Sequence, residues 1–445
     1  MNPLPQVEHT VREHKLPGLE GQLPEEFILP HYGGYSIANL PATVAGLLGV
    51  ELRDTAPPLP DPLWTDIAQG VRRVVMVVLD AVGYLQLRRV LQLAEAKGED
   101  SPLNRLVRAG RLIPLTSVFP STTVAALTTL WTGRAPAGHG FAGTKLLLSQ
   151  QGVLANMLGL SPAAHRQPGA LLEWGWEPDD FVPVPGLGQQ LSDAGVRTFA
   201  HTHLPFVRGG LARIFMRGVE SVRGHAGFSD MWINIRHTLT RRRGSPSTGR
   251  ERLFVSGYWG DIDHVAHVYG PDGEPFQAAL RHLARSLEED LLTPLPADAR
   301  EGTLLILTAD HGQTHTPPDR AVWLSDHPTL QHMLLLPPAG EPRAAYLYVR
   351  PGKTEAVRAY AAEHLADRFL LLEMDQALAA GLFGPGIPSS EFRARLGDLL
   401  LLARNDARLL VEEEKVPFHG HHGSLTADEM LVPLLMVRLD TGSRF

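Results

Sequence analysis

Four short stretches of this sequence place acids and imidazoles where they could hold cations. LLILTADHGQT ends an apolar run, residues 304–307, in Asp310 and His311 with Gly312 behind them. VVMVVLD, residues 74–80, ends another such run in Asp80. DIDHVAHVYGP carries Asp263 and His267 four positions apart, so on one helical turn both face the same side. FHGHHGSL near the C-terminus offers His419, His421 and His422. Asp and neutral His are ligands for Zn²⁺ and similar ions, and six such residues suffice for two sites of three protein ligands each. Two cations about 4 Å apart suit phosphoryl transfer, because they stabilise the attacking and leaving oxygens together. One D-x-x-x-H pair is ordinarily an ion pair or a helix cap; recurrence at several strand ends is what carries the reading.

PSTTVAALTTLWTG supplies what such a centre needs for a nucleophile. Ser121, Thr122 and Thr123 stand ahead of an apolar, helix-like run. Hydroxyls there are natural N-caps. A helix N-terminus also carries unpaired N–H groups and partial positive charge. A hydroxyl held there beside a cation could lose its proton and attack phosphorus, among donors for the phosphoryl oxygens. At this level any of the three hydroxyls fits.

These groups meet only if a fold gathers the strand ends. Residues 74–80 and 303–309 are continuous apolar runs, as expected of parallel strands covered on both faces. Further strand-like runs lie at 112–119, 252–260, 344–349, 369–374, 407–411 and 432–439, alternating with helix-like segments near 83–97 and 275–292. That alternation predicts a largely parallel sheet with helices on both faces, in which ligands bind outside the carboxyl ends of the strands. Residues 1–65 are Pro-rich and irregular apart from a helix-like SIANLPATVAGLLGV; they are expected to form an arm packed on a catalytic domain spanning 66–445. Residues 152–247 are rich in Gly, Pro, Trp and Arg, with poor periodicity, and are expected to form an insertion capping the site.

The bulk properties exclude other classes. The chain has 445 residues, 44% hydrophobic and 20% charged, as in a soluble globular protein. Net charge is −7, so no global basic field draws it to nucleic acid. There is no cysteine, so disulfides and thiolate ligands are impossible. No apolar run reaches the length of a membrane span, and MNPLPQVEHTVREHK has no apolar signal region; a cytoplasmic location is the expectation.

The order of the motifs resembles the alkaline phosphatase superfamily and, within it, the type I phosphodiesterase/nucleotide pyrophosphatase family. The matching pieces are VVLDAVG, FPSTTVAALTTLWTGRAPAGHG, DIDHVAHVYGP, TADHGQ and HHGSL, spanning residues 77–425. The resemblance implies an α/β/α sandwich with a largely parallel central sheet and an inserted cap. It implies that Asp80, Thr123, Asp310 and His311 hold the metal that activates the nucleophile, and that Asp263, His267 and His422 hold a second. Thr123 is selected because the family nucleophile lies nine residues ahead of a Thr-Gly, here Thr132-Gly133. His422 is selected over His421 because it directly precedes Gly-Ser-Leu. The pattern departs from the family at Thr144, where nucleotide pyrophosphatases carry an Asn that binds a phosphoryl oxygen; the Thr144 hydroxyl or the Gly143–Thr144 backbone is the expected substitute. No position matches the arginine that grips a monoester in alkaline phosphatases, and the C/S-x-P-x-R motif of sulfatases is absent.

The implied function is a two-metal phosphohydrolase that cleaves phosphodiesters or nucleotide pyrophosphate bonds through a phospho-threonine intermediate. Two divalent ions are expected, zinc foremost, with manganese or iron as replacements. The expected substrate is a small phosphorylated molecule such as a nucleotide, without membrane or nucleic-acid partners. The alternatives are a phosphomonoesterase of the same superfamily and a non-catalytic binding protein, which should have lost a ligand; none is missing. Arg236, Arg241, Arg242, Arg243 and Arg250 are the only support for nucleic-acid binding, and a solvated loop explains them. Trp174, Trp176, Phe181 and Phe206 could stack on a base, although core packing accounts for each.

Overall fold

The computed structural model describes residues 4–440 except 166, 183, 242–250 and 413–415. Seven strands form the central sheet: β1 (Arg73–Leu79), β2 (Arg111–Thr116), β3 (Arg197–His203), β4 (Ser221–His225), β5 (Leu253–Trp259), β6 (Thr303–Thr308) and β7 (Leu431–Arg438). Their order across the sheet is β2-β7-β6-β1-β5-β3-β4. All neighbouring pairs are parallel except those made by β7, which runs antiparallel to β2 and β6. β1 lies in the middle, and Val74–Val78 and the whole of β6 are buried. The unbroken apolar composition of both strands follows from that: each packs under helices on two faces. The architecture is α/β with a mostly parallel central sheet, as the motif order implies.

A second sheet of seven strands, antiparallel throughout, was not foreshadowed. In spatial order it contains Phe369–Glu373, Leu399–Ala403, Ala344–Leu347, Ala339–Glu341, Lys145–Leu148, Val153–Asn156 and Ser161–Pro162. The strand-like runs at 344–349 and 369–374, expected to extend the parallel sheet, belong here instead. The run at 407–411 reduces to Leu409–Leu410, paired with Val322–Trp323. Apolar runs of four or five residues do not encode their partner, and here antiparallel neighbours compete successfully for them. Part of this sheet packs on a separate apolar cluster around Leu330, Val357 and Leu401.

Two regional expectations are corrected. Residues 152–247 are not simply an inserted cap: β3 and β4 are integral strands of the central sheet, and Val153–Asn156 and Ser161–Pro162 belong to the antiparallel one. Poor periodicity reflects short helices between these strands. Residues 4–65 are less irregular than their proline content suggests. Leu4–Arg12 is a helix whose Val7 and Val11 are buried, whereas the helix Leu40–Leu47, after a short turn capped by Ser36, lies within the helix-like stretch expected at 36–50. Val11, Leu19, Phe27 and Ile37 lie in the same apolar cluster as the central strands.

Candidate active site

Parallel register levels the strand ends. Val78 of β1 pairs with Tyr258 of β5 and Thr308 of β6, so Asp80 and Asp310 emerge side by side, both buried. Ala81 turns the chain sharply with φ 60, a left-handed conformation unfavourable for a side chain bearing Cβ. The turn aims the Ala81 N–H at Asp310 Oδ1, 3.2 Å away, and the His311 N–H donates to the same oxygen at 3.0 Å. β5 leads into helix α2 (Asp261–Tyr269), which presents Asp263 and His267 on one face, Oδ2 to Nε2 3.4 Å. Helix α1 (Thr123–Thr132) begins at Thr123 itself, with Thr122 extended at the N-cap and Gly133 left-handed at the C-cap. Thr123 Oγ1 lies 3.2 Å from His311 Nε2.

The three histidines share one arrangement. His311 Nδ1 lies 3.0 Å from the Gly312 carbonyl, His267 Nδ1 2.6 Å from Gly420 and His422 Nδ1 2.9 Å from Ser121. A carbonyl can only accept, so each Nδ1 carries the proton and each Nε2 presents a lone pair inward. These nitrogens face carboxylates: His311 Nε2 lies 3.5 Å from both Asp80 and Asp310, and His422 Nε2 3.8 Å from Asp263. The ligand atoms of Asp80, Asp263 and His311 lie within 4.8 Å of one another, as do those of Asp263, His267 and His422. The His311 and His422 rings stack at 3.8 Å, so the two groups abut.

Without a cation this arrangement is electrostatically unfavourable. Burial, with Asp310 and Asp263 nearby, pushes the Asp80 carboxyl well above the ordinary range, and burial also raises Asp310. Burial would also raise Asp263, but His267, when also protonated at Nε2, holds it well below the usual value. His422 is pushed well below the usual imidazole value by burial and by His311, which keeps it neutral. Asp80 Oδ1 and Asp310 Oδ2 are buried without a hydrogen-bond donor. Orphaned carboxylate oxygens facing imidazole lone pairs are what divalent ions require; the donor set fits two of them.

Three supporting residues escaped the sequence reading. The Tyr258 hydroxyl donates a short hydrogen bond to Asp80 Oδ2. Gln313 Nε2 donates to Asp263 Oδ1 at 2.6 Å; its position directly behind Asp-His-Gly was the available clue. Glu341, from the antiparallel sheet, accepts from the Thr144 N–H at 2.6 Å. That bond revises one expectation: the Thr144 amide is already engaged and is not a spare phosphoryl donor. The Thr144 hydroxyl remains at the site, 3.4 Å from that of Thr122. Gly143 serves a close approach, since a Cβ there would stand 3.1 Å from Gly340 Cα.

The remaining candidates lie elsewhere. His421 Nδ1 bonds to the Thr316 hydroxyl at 2.7 Å, and His264 is exposed. Trp176 and Phe181 are core residues, whereas Trp174 and Phe206 are exposed, Phe206 with its ring 6.3 Å from that of Tyr258. Arg236 donates to the Asp290 carbonyl at 2.7 Å; Arg242, Arg243 and Arg250 lie outside the described residues.

A family model for type I phosphodiesterase / nucleotide pyrophosphatase matches residues 74–173 and 208–425, well over half of the chain. This chain belongs to that family. It is a phosphodiesterase/pyrophosphatase-type hydrolase, acting on phosphoric ester or anhydride bonds. Among solved structures it is similar to murine ectonucleotide pyrophosphatase / phosphodiesterase 5, in an inactive form in complex with AMP, at 16% identity and TM-score 0.60, covering 82% of this chain and 87% of that one. It is also similar to phosphonoacetate hydrolase from Sinorhizobium meliloti 1021 in complex with phosphonoformate, at 20% identity and TM-score 0.55, covering 81% and 89%. At such identities the likeness is one of fold. No match to the sequence was found among curated proteins. The type I phosphodiesterase family depends on divalent metal, and the convergent Asp and His groups of this member are of the matching kind. No helix among the described residues is long and apolar enough to cross a membrane.

Proposed function

We propose that this chain cleaves small phosphodiesters or nucleotide pyrophosphate bonds in two displacements, with Thr123 as the covalent nucleophile. The observation that carries the reading is the set of three histidines, each with Nδ1 bound to a backbone carbonyl and Nε2 turned toward carboxylates, around the first residue of α1. Asp80, Asp310 and His311 with Thr123 would hold one divalent ion; Asp263, His267 and His422 would hold the other, zinc being the expected ion in both. Bound there, two such ions supply Lewis acidity for the nucleophile, the leaving oxygen and the second attacking water. Thr123 gives up its hydroxyl proton to solvent and attacks phosphorus. The bond to the leaving oxygen breaks opposite it, leaving a phosphoryl-threonine ester. Water then cleaves that ester and restores the hydroxyl. The N–H groups opening α1, unpaired within the helix, suit the phosphoryl oxygens during both steps. Tyr258 and Gln313 fix the orientations of Asp80 and Asp263.

A nucleotide diester is the first substrate to test, because its cleavage would leave a nucleoside monophosphate of the kind seen in the murine relative's complex with AMP. The protein should be turned over briefly with a labelled diester, quenched in acid and digested. The label is expected on Thr123. Thr123→Ala should fold, since losing a cap position costs about 0.5–2 kcal/mol, yet turnover should fall by orders of magnitude; Thr123→Ser should retain activity. Normal turnover by Thr123→Ala would exclude covalent catalysis at this residue.

A further inference from the structure

The antiparallel sheet introduces a carboxylate that the proposed chemistry does not use. Glu341 ends the strand Ala339–Glu341 and is 7% exposed. It accepts the Thr144 N–H, and the hydroxyls of Thr144 and Thr122 both favour its charged form. The neighbours it meets at this end of the site are therefore donors, as suits an anion. Burial opposes that by pushing its pKa upward. Thr122 directly precedes Thr123, and its hydroxyl lies 3.4 Å from that of Thr144, so Glu341 is linked to the residue next to the proposed nucleophile. Glu341 also lines a cavity of about 720 Å³. Thr144, His264 and the Lys145–Glu412 pair, 3.7 Å apart, share that lining, with Val268, Leu410, Val416 and Phe418 as an apolar wall. Phe418 stacks on His267 at 4.8 Å, which joins the cavity to the Asp263–His267–His422 side of the centre.

A carboxylate beside a phosphoryl site penalises each negative charge the substrate carries there. A diester has one charge on its phosphoryl group; a monoester above its second ionisation, at a pKa near 6, has two. Like-charge juxtaposition in a partly desolvated site is among the strongest means of rejecting a ligand. The diester's second organic group has the apolar wall of the cavity, Val268, Leu410, Val416 and Phe418, to pack on, whereas a monoester offers only another charged oxygen.

We propose that Glu341 is a charge filter: it sets the preference for singly charged phosphoryl groups, diesters over monoesters, with an uncharged organic substituent seated in the adjoining cavity. This rests on the phosphohydrolase reading above and names the substrate class of the same site. The test compares the metal-loaded wild type with Glu341→Gln, which preserves shape and hydrogen bonding while removing the charge. At pH 8, kcat/KM for 4-nitrophenyl phosphate should rise relative to that for bis-4-nitrophenyl phosphate by about tenfold or more in the variant. Inorganic phosphate should inhibit the variant at lower concentration. Glu341→Asp, which retains the charge, should keep the diester preference. An unchanged ratio in Glu341→Gln overturns the filter, as does a ratio shifted toward diesters. If Glu341→Gln does not fold, the wild type decides. Dimethyl phosphate, a monoanion, should inhibit at lower concentration than methyl phosphate, a dianion at that pH, and the reverse order overturns the filter. The two readings fail separately: a wild type inert toward every phosphoester defeats the phosphohydrolase reading, whereas an active wild type with an unaltered ratio defeats only the role of Glu341.

Discussion

The two sheets bring opposite chemistry to Thr123. The carboxyl edge of the central sheet contributes Asp80, Asp310, His311 and the α2 pair, groups whose mutual repulsion and orphaned oxygens call for cations. The antiparallel sheet contributes Glu341, surrounded by an amide and hydroxyls that already satisfy it. Burial raises the pKa of both; one carboxylate cluster lacks donors until a cation arrives, whereas the other carboxylate holds a backbone donor without one. Burial alone therefore does not make an acid a metal ligand. What differs is the supply of donors: Asp310 Oδ2 has none, while Glu341 Oε1 holds the Thr144 N–H at 2.6 Å.

The sharpest way to break this comparison is to remove a group from the first edge. Asp310→Ala should cost turnover about 10³-fold, more than the 10–100-fold typical of residues that act through a ligand, and the purified protein should lose bound metal. Equal losses in Glu341→Ala, with metal lost as well, would erase the distinction between the edges. The junction of the two sheets offers the next largest effect. Arg343 and Glu429 are both wholly buried and paired in two bonds of 2.7 and 2.9 Å. Arg343→Met leaves Glu429 buried without its cation and should lower unfolding free energy by about 3–5 kcal/mol, read by denaturant titration; a neutral outcome would mean that the junction relaxes independently of the site.

Tyr258→Phe tests whether the first edge depends on outer support. It removes the hydroxyl that donates to Asp80 and should weaken metal affinity or activity by about 10–100-fold, measured by titrating ion into metal-free protein. The smallest effect is on pH dependence. Asp80 and Asp310 have folded pKa values raised above their unfolded ones. In metal-free protein their contribution to stability is therefore present below the ordinary aspartate value of about 3.9 and is lost as pH rises through the raised values. Asp263, lowered, acts in the opposite sense, its contribution present above that value and lost as pH falls below it. Metal binding should release protons, on the order of one per chain, from Asp80 and Asp310. Calorimetry in buffers of different ionisation enthalpy reads this directly; no proton release would show that both acids are already ionised in the empty site.

Much of the site was legible because its parts are local. Asp80 and Asp310 directly follow apolar strands, and Asp263 and His267 are set together by the helical repeat alone. On the phosphoryl side Thr144 was named from the sequence, but its acid partner was not legible. Glu341 and Thr144 are 197 positions apart, and nothing in AGEPRAAYLYV marks its acid as buried. Tyr258 sat in an aromatic strand end, where core packing was the simpler reading. The cap assigned to 152–247 failed for a related reason: β3 is as long as β1, but nothing local marks β3 and β4 as members of the central sheet rather than of an insertion, and only their pairing, β3 with β5 and β4 with β3, decides it.

The sequence by itself pointed to cation-assisted phosphoryl chemistry and to Asp80, Asp310, His311, Asp263 and His267, because strand-end placement and i, i+4 spacing are properties of a few consecutive residues; family resemblance singled out Thr123 and His422. Only the tertiary structure decided which acids lack donors, which nitrogen of each histidine turns inward, and that Thr144's amide is spoken for. Those facts depend on hydrogen bonds between residues far apart in the chain, and on burial, which fixes how much an unpaired charge costs.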